Sequence, residues 1–422
     1  MSRVLVESEI DWIGKIPANW NIQPLGLYLK ERKEKVSDID YEPLSVTKNG
    51  VVPQLENAAK SDAHDQRKKV CKYDFVINSR SDRKQSCGLS YLEGSVSLIN
   101  TVLKIYNYYP EYIKYALDNN MFSEEFYRNG HGIVADLWTT KYSEMKHIRI
   151  PEPKYDEQIR IANYLNKNCS KIDEIINDNN REVELLEEYK MKILDTACLK
   201  GIDKHEFVNV SHYSIDKIPA GWKFQKTLGI LNMPITDGPH STPNLINDGI
   251  PFISADAIKD GKIDFSRKRG DISEEDYLEF SKKYIPKLHD IYMIKSGATT
   301  GKVGIVETTK KFTIWSPLAV YRVNEKKMNY KYLYYLLQTN FYQKQVQLSW
   351  SYGTQQNIGM RILEKLKVLV PPLLEQEKIV KEIDDKFNKL NKSIDYRKQI
   401  IEKLEEYKKS LIYECVTGKR EV

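Results

Sequence analysis

No run of about 18 apolar residues occurs in this 422-residue chain, and its opening segment, MSRVLVESEIDW, holds no apolar core of signal-peptide length. These absences exclude a membrane-spanning helix and predict a cytoplasmic protein. Cysteine is scarce and scattered: Cys71, Cys87, Cys169, Cys198 and Cys415 form no CxxC pair. Neither a zinc site nor a disulfide framework is expected from that spacing. Catalytic signatures are missing too. The seven histidines form no HExxH, and no GxGxxG opens a helix after a strand. Val370-Pro371-Pro372-Leu373 lacks the polar first and aromatic last residue of a methylase motif. Acidic pairs such as Glu274-Glu275 have no lysine in nuclease spacing. Ser296-Gly297-Ala298-Thr299-Thr300-Gly301-Lys302-Val303 approaches a P-loop but fails twice. Three residues separate its glycines instead of four, and Val303 replaces the hydroxyl residue that would hold Mg²⁺. The sequence therefore predicts a non-catalytic chain with no metal or cofactor of its own.

What is present is a duplication. Lys15-Ile16-Pro17-Ala18-Asn19-Trp20 returns as Lys217-Ile218-Pro219-Ala220-Gly221-Trp222, and Pro151 with Glu157-Gln158 returns as Pro371 with Glu375-Gln376. The offset of 218 that relates Glu157 to Glu375 also carries Leu186-Glu187-Glu188-Tyr189-Lys190 onto Leu404-Glu405-Glu406-Tyr407-Lys408. A length of 422 residues exceeds one ordinary core. Each half thus reads as a mixed domain of about 130 residues, a proline-marked boundary and a long helix.

Periodicity defines those helices. Ile172, Ile176, Asn179, Val183, Leu186, Lys190, Ile193 and Ala197 step by fours and threes, as do Leu390, Ile394, Arg397, Ile401, Leu404, Lys408, Leu411 and Cys415. This is a heptad seam, with its polar exceptions at matching places. Two helices of about 43 residues would each reach roughly 65 Å at ~1.5 Å per residue. Paired antiparallel, they would hold two domains apart like a ruler. Between the motifs, short apolar runs at 75–77, 97–105 and 318–323 read as strands, and 109–119 and 330–339 as aromatic helices. The fold class expected is α+β: two mixed α/β domains in tandem, separated by two long antiparallel coiled-coil helices in a pseudo-twofold repeat.

The net charge of +6 permits a polyanionic partner without demanding one. The cations and amides, however, gather in the middles of the halves. Arg67, Lys68, Lys69, Arg80, Arg83 and Lys84 surround the strand at 75–77, with Asn78 and Ser79 at its end. In the second half stand Arg267, Lys268, Arg269, Lys295 and Lys302, with Thr299 and Thr300 in the glycine loop. Lys and Arg neutralise phosphates, and Arg, Asn and Gln can read base edges. Two tight loops could present side chains into a groove: one carries Asp237, His240 and Thr242, the other Thr354, Gln355, Gln356 and Asn357. The first-half counterpart of the latter, at 132–136, is eroded. Two other readings stand beside DNA binding at this point. One is a single-chain nuclease or methylase, against which the missing motifs count. The other is a coiled-coil adaptor, which leaves the duplicated mixed domains unexplained.

Taken in order, these motifs resemble the specificity subunits of type I restriction–modification enzymes. The carriers are the two Ile-Pro-x-x-Trp segments, Asp237-Gly238-Pro239-His240-Ser241-Thr242-Pro243, Gly249-Ile250-Pro251-Phe252-Ile253 and Ser296-Gly297-Ala298-Thr299-Thr300-Gly301. Gly353-Thr354-Gln355-Gln356-Asn357, Val370-Pro371-Pro372-Leu373-Leu374-Glu375-Gln376 and Cys415-Val416-Thr417-Gly418-Lys419 complete the series. The first half departs from it at Lys154-Tyr155-Asp156, where leucines are usual. The resemblance implies target-recognition domains at 1–155 and 205–372, each reading one half of a bipartite site on double-stranded DNA. It implies spacer and docking helices at 156–204 and 373–422. Two methylase subunits would dock there, and a nuclease/translocase subunit can join them. S-adenosylmethionine, ATP and Mg²⁺ would be bound by those partners, which act on adenine and cleave DNA.

Overall fold

The computed structural model describes residues 3–55, 65–132, 138–350 and 357–422. By contacts the chain divides into two compact units: Met1–Asn180 with Arg397–Val422, and Arg181–Tyr396. Each unit therefore holds one mixed α/β domain and a portion of each long helix. No described helix is long and apolar enough to cross a membrane.

The first unit is organised around the strand Phe75–Asn78, buried at all four positions. A strand covered on both faces is written as a continuous apolar run, because neither face needs polar residues. It pairs antiparallel with Cys87–Leu89 and with Asn100–Ile105, which in turn pairs with Leu29–Glu31. The strand expected from 97 begins only at Asn100, because the Asn100 amide turns back onto the Ser97 carbonyl at 3.0 Å. Two helices follow, Pro110–Leu117 and Asn120–Arg128, the first opened by a proline whose missing N–H costs nothing there. The second unit repeats this order. Ile291–Ile294 is its buried strand, flanked by Val303–Ile305 and Leu318–Tyr321. The helices Tyr330–Gln338 and Asn340–Leu348 follow, capped by Asn329 and Thr339 side chains.

A short strand closes each domain just before its long helix. Arg149–Glu152 pairs with Asn21–Pro24, and Lys367–Val370 pairs with Lys223–Lys226. The long helices are Tyr155–Lys200 and Leu373–Val416. The repeated sequence motifs are the two sides of one lock. Trp20 Nε1 donates to Glu157 Oε2 at 3.0 Å, and Trp222 Nε1 donates to Glu375 Oε2 at 3.1 Å. Gln158 Oε1 accepts the Tyr109 amide at 2.8 Å, and Gln376 Oε1 accepts the Asn329 amide at 2.7 Å. In each unit the first turn of the long helix is thus bonded to the domain beside it. A buried hydrogen bond to a carboxylate contributes roughly 1.5–3 kcal/mol.

Within the first unit the two helix portions run antiparallel: Asp173 meets Lys408 at 2.6 Å and Asn179 accepts from Arg397 at 3.1 Å. Ile172, Asn179, Leu411 and Cys415 are buried, and Ile176, Arg397, Ile401, Leu404 and Lys408 are half-buried; the buried Ile394 belongs to the second unit. In the second unit Ile193 and Ala197 are buried in one core with Ile379 and Ile383, while Val183, Leu186, Lys190 and Leu390 are half-buried. Lys190 lies over the Phe387 ring at 5.3 Å.

Candidate nucleic-acid interface

In both units the same strand end delivers a loop to the surface. Asp74, at the head of the first unit's strand, is gripped by Arg32 through two bonds of 2.7 and 2.9 Å. At the tail, the Ser79 amide donates to Ile99 O at 3.2 Å, and Ser79 O accepts the Thr140 amide at 3.0 Å. Asn78 is buried, and its Oδ1 accepts the Arg80 amide at 3.0 Å. The chain then turns through Ser81–Arg83, leaving Arg80, Arg83 and Lys84 exposed. Lys84 is held by Glu124 at 3.0 Å.

Other cations of the first unit are committed elsewhere. Arg67 is buried and spends its guanidinium on Ser95 Oγ and O, at 2.8 and 3.0 Å. Burial pulls its pKa below the usual arginine value. Lys68 pairs with Glu31 at 3.3 Å, and Lys69 with Glu34 at 2.8 Å. Arg67, named from the sequence as a surface cation, is therefore part of the domain's interior. Beside the strand end lies a hollow of about 660 Å³ lined by Lys33, Lys68, Ser79, Arg80, Lys141 and Lys146. Lys33, Lys141 and Lys146 escaped the sequence reading because they come from separate segments. Their one local signal is that Lys141 and Lys146 bracket the short helix Tyr142–Met145.

The second unit repeats the frame with different chemistry. The Lys295 amide donates to Pro317 O at 2.8 Å, and Lys295 O accepts the Ile358 amide at 2.9 Å. The loop at 296–301 then takes positive φ at Gly297 and Gly301, +97° and +96°. The positive φ favours glycine at 301, and a Cβ there would also displace the Gln343 side-chain amide, whose Oε1 would lie 2.5 Å away. Thr300 Oγ1 donates to Gly297 O at 2.7 Å. The strand Val303–Ile305 follows this loop, so no helix N-terminus is present to bind a phosphate as in a P-loop. Arg267, Thr299, Thr300 and Lys302 converge on a hollow of about 580 Å³, shared with Lys259 and Gln343.

Asp237 is fully buried, ion-paired with Lys283 and lying 3.3 Å from both Lys295 and His240. Its carboxylate anchors its loop from inside, which removes it from direct contact with a ligand. Gly238 packs so closely that a Cβ would meet Ile314 O at 2.0 Å. His240 and Thr242 are exposed. Lys268 pairs with Asp271 at 2.6 Å, and Arg269 lies over the Trp315 ring at 3.8 Å. Asn357 forms a bridge with Ser296; Thr354, Gln355 and Gln356 lie outside the described residues. Among the described residues no group of three or more His, Cys, Asp or Glu could hold a metal.

Residues 222–406 match the family model for the type I restriction modification DNA specificity domain. Two curated relatives come from Methanocaldococcus jannaschii. One, provisionally named the MjaX type I restriction enzyme specificity subunit, is 24% identical over 406 residues, covering 88% of this chain and 87% of that protein. The MjaVIII specificity subunit is 24% identical over 243 residues, covering 56% of this chain and 55% of that protein. Among solved structures, a chain from work on "complex assembly and conformational transition of the type I R-M system" superposes with a TM-score of 0.71 at 15% identity. That superposition covers 96% of this chain and 99% of the other, and it shows a shared fold.

Proposed function

We propose that this chain, which belongs to the family of type I restriction–modification specificity subunits, supplies the DNA-sequence preference of a restriction–modification complex. In this reading its two domains, 1–155 and 205–372, each read one half of a bipartite site on duplex DNA. The helices at 156–204 and 373–422 set the gap between half-sites and dock two methylase subunits, which a nuclease/translocase subunit can join. Adenine-N6 methylation and ATP-dependent cleavage belong to those partners, which bind S-adenosylmethionine, ATP and Mg²⁺, and flip the target base out of the stack. This chain works with them in the cytoplasm as a reader.

One observation carries the proposal. An equivalent buried strand ends in residues 80–84, rich in cations, in one unit, and in the Gly-Thr loop 297–301 in the other. A frame held constant beneath loops of different chemistry is what reading two unlike half-sites requires. Cations hold the phosphates, and side-chain amides and hydroxyls reach base edges. The test is methylome sequencing of a host expressing this chain with its methylase. A split, asymmetric adenine-methylated motif is expected, and deleting one heptad from the second long helix should alter the spacer alone. An uninterrupted motif, or half-sites that change with helix length, would overturn the reading.

A further inference from the structure

The counterpart positions of the two units can be fixed by backbone bonds, independently of sequence likeness. Ser79 and Lys295 make the same pair of bonds at their strand ends, and the residues after them, Arg80 and Ser296, bridge Thr139 and Asn357. Lys141 and Gly359 stand immediately before matching four-residue helices, Tyr142–Met145 and Met360–Leu363. Lys146 O accepts the Gly26 amide, as Glu364 O accepts the Leu228 amide. Val102 lies opposite the second residue of the central strand, as does Val320. The Arg32 amide bonds to Val102 O, and Thr236 pairs with Val320, so the following residues, Lys33 and Asp237, correspond.

Four cations of the first unit, Lys33, Arg80, Lys141 and Lys146, thus stand where the second unit has Asp237, Ser296, Gly359 and Glu364. All four are exposed and line one hollow together with Glu31, whose carboxylate is taken by Lys68, and among the described residues none of the four makes an ion pair with a carboxylate. In the second unit both carboxylates are engaged internally: Asp237 by Lys283 and Lys295, and Glu364 through Oε1 by the Ile235 amide at 2.9 Å. Unpaired like charges converging on a concave surface repel one another, and a polyanion relieves that repulsion.

We infer that the two units grip DNA unequally. The first holds the phosphate backbone in a cationic track formed by Lys33, Arg80, Lys141 and Lys146. The second lacks this track, sets the exposed Lys259, Arg267 and Lys302 on its own hollow beside the carboxylates of Asp256 and Asp260, and contacts its half-site chiefly through the loops around 299–302. This rests on the DNA-reading function proposed above and adds where the phosphate grip resides. Each phosphate neutralised contributes about 0.9 to the slope of log affinity against log salt.

The test is fluorescence anisotropy of the full-length chain on a mixed-sequence duplex long enough for both units, with KCl varied. Replacing Lys33, Arg80, Lys141 and Lys146 together by Gln should lower the salt slope by about three to four. Lys69→Gln, a cation already paired with Glu34, should leave it nearly unchanged. A Cβ on Gly359 would make only an ordinary contact with Ile362 Cδ1 at 4.0 Å, so Gly359→Lys with Ser296→Arg should raise the slope by up to about two. A fourfold variant that keeps its circular dichroism and the parent's slope would overturn the cationic track. A parent chain that binds no duplex even at low salt, with or without its methylase, would instead overturn the DNA-reading function, and the track with it.

Discussion

The two units share their backbone and differ in the chemistry that the backbone displays. The locks are equivalent: Tyr112 OH donates to Val416 O at 2.9 Å in one unit, and Tyr332 OH donates to Cys198 O at 3.1 Å in the other. Even the ion pair at the head of the central strand recurs, but its arginine comes from a different place. Arg32 grips Asp74, whereas Arg322 grips Asp290 from the end of the neighbouring strand, at 2.8 and 2.7 Å. The frame preserves interactions rather than residues. Around the strand end the backbone bonds are again preserved, but the side chains displayed there differ in charge and in partners.

The comparison can be broken most severely at Gly238, where no cavity exists for a methyl group beside Ile314 O. Gly238→Ala should cost about 3 kcal/mol or more, visible as loss of hydrogen-exchange protection in the second unit alone. Loss spread over both units would mean that they do not respond as separate bodies.

The next largest effect concerns pH. Burial raises the Asp118 carboxyl to about 6, against the lowering influence of Cys87, Lys114 and Lys408. An acid whose folded pKa exceeds its unfolded value binds extra protons when folded, so stability falls as pH rises from about 4 to about 6 and stays lower above. Asp118→Asn should therefore raise stability by roughly 2–3 kcal/mol at pH 7 and leave it nearly unchanged at pH 4. The counterpart in the second unit is Gln338, which like Asp118 stands immediately before the residue that caps the following helix. Gln338→Asp should confer a similar pH dependence on that unit. Thermal unfolding across pH checks both, and a pH-independent gain in the first variant would refute the titration argument.

The lock predicts equality rather than difference. Tyr112→Phe and Tyr332→Phe each leave a buried carbonyl without its hydroxyl donor and should each cost about 1–2 kcal/mol, agreeing within a few tenths. Chemical denaturation of the two variants would reveal any inequality. Smallest of all, Lys84→Gln removes an exposed ion pair with Glu124 and should change stability by less than about 1 kcal/mol.

Much of the frame is legible in the residues. The helices and their seam follow from period and proline placement, both local signals. The buried strand at 75–77 follows from an unbroken apolar run, whereas its counterpart Ile291–Ile294, equally apolar, was not among the runs read as strands. Sequence motifs also marked Trp20, Glu157, Trp222 and Glu375 as repeated, although their mutual hydrogen bonds needed the fold to appear. The candidate site was far less legible. A basic cluster at 67–69 looks like a polyanion surface, yet Arg67 bonds to Ser95 inside the domain and its neighbours are matched by Glu31 and Glu34. Asp237, in the most recognisable loop, is an interior anchor.

The sequence by itself determined the duplication, the long helices and the residue types available to each unit, because repeats and periodicities are properties of neighbouring positions. Only the tertiary structure decided which charges are free. Whether a lysine faces a phosphate or a glutamate depends on strands distant in the chain, as the convergence of Lys33, Arg80, Lys141 and Lys146 on one hollow shows. Electrostatic interaction acts through space, and its partners are chosen by folding.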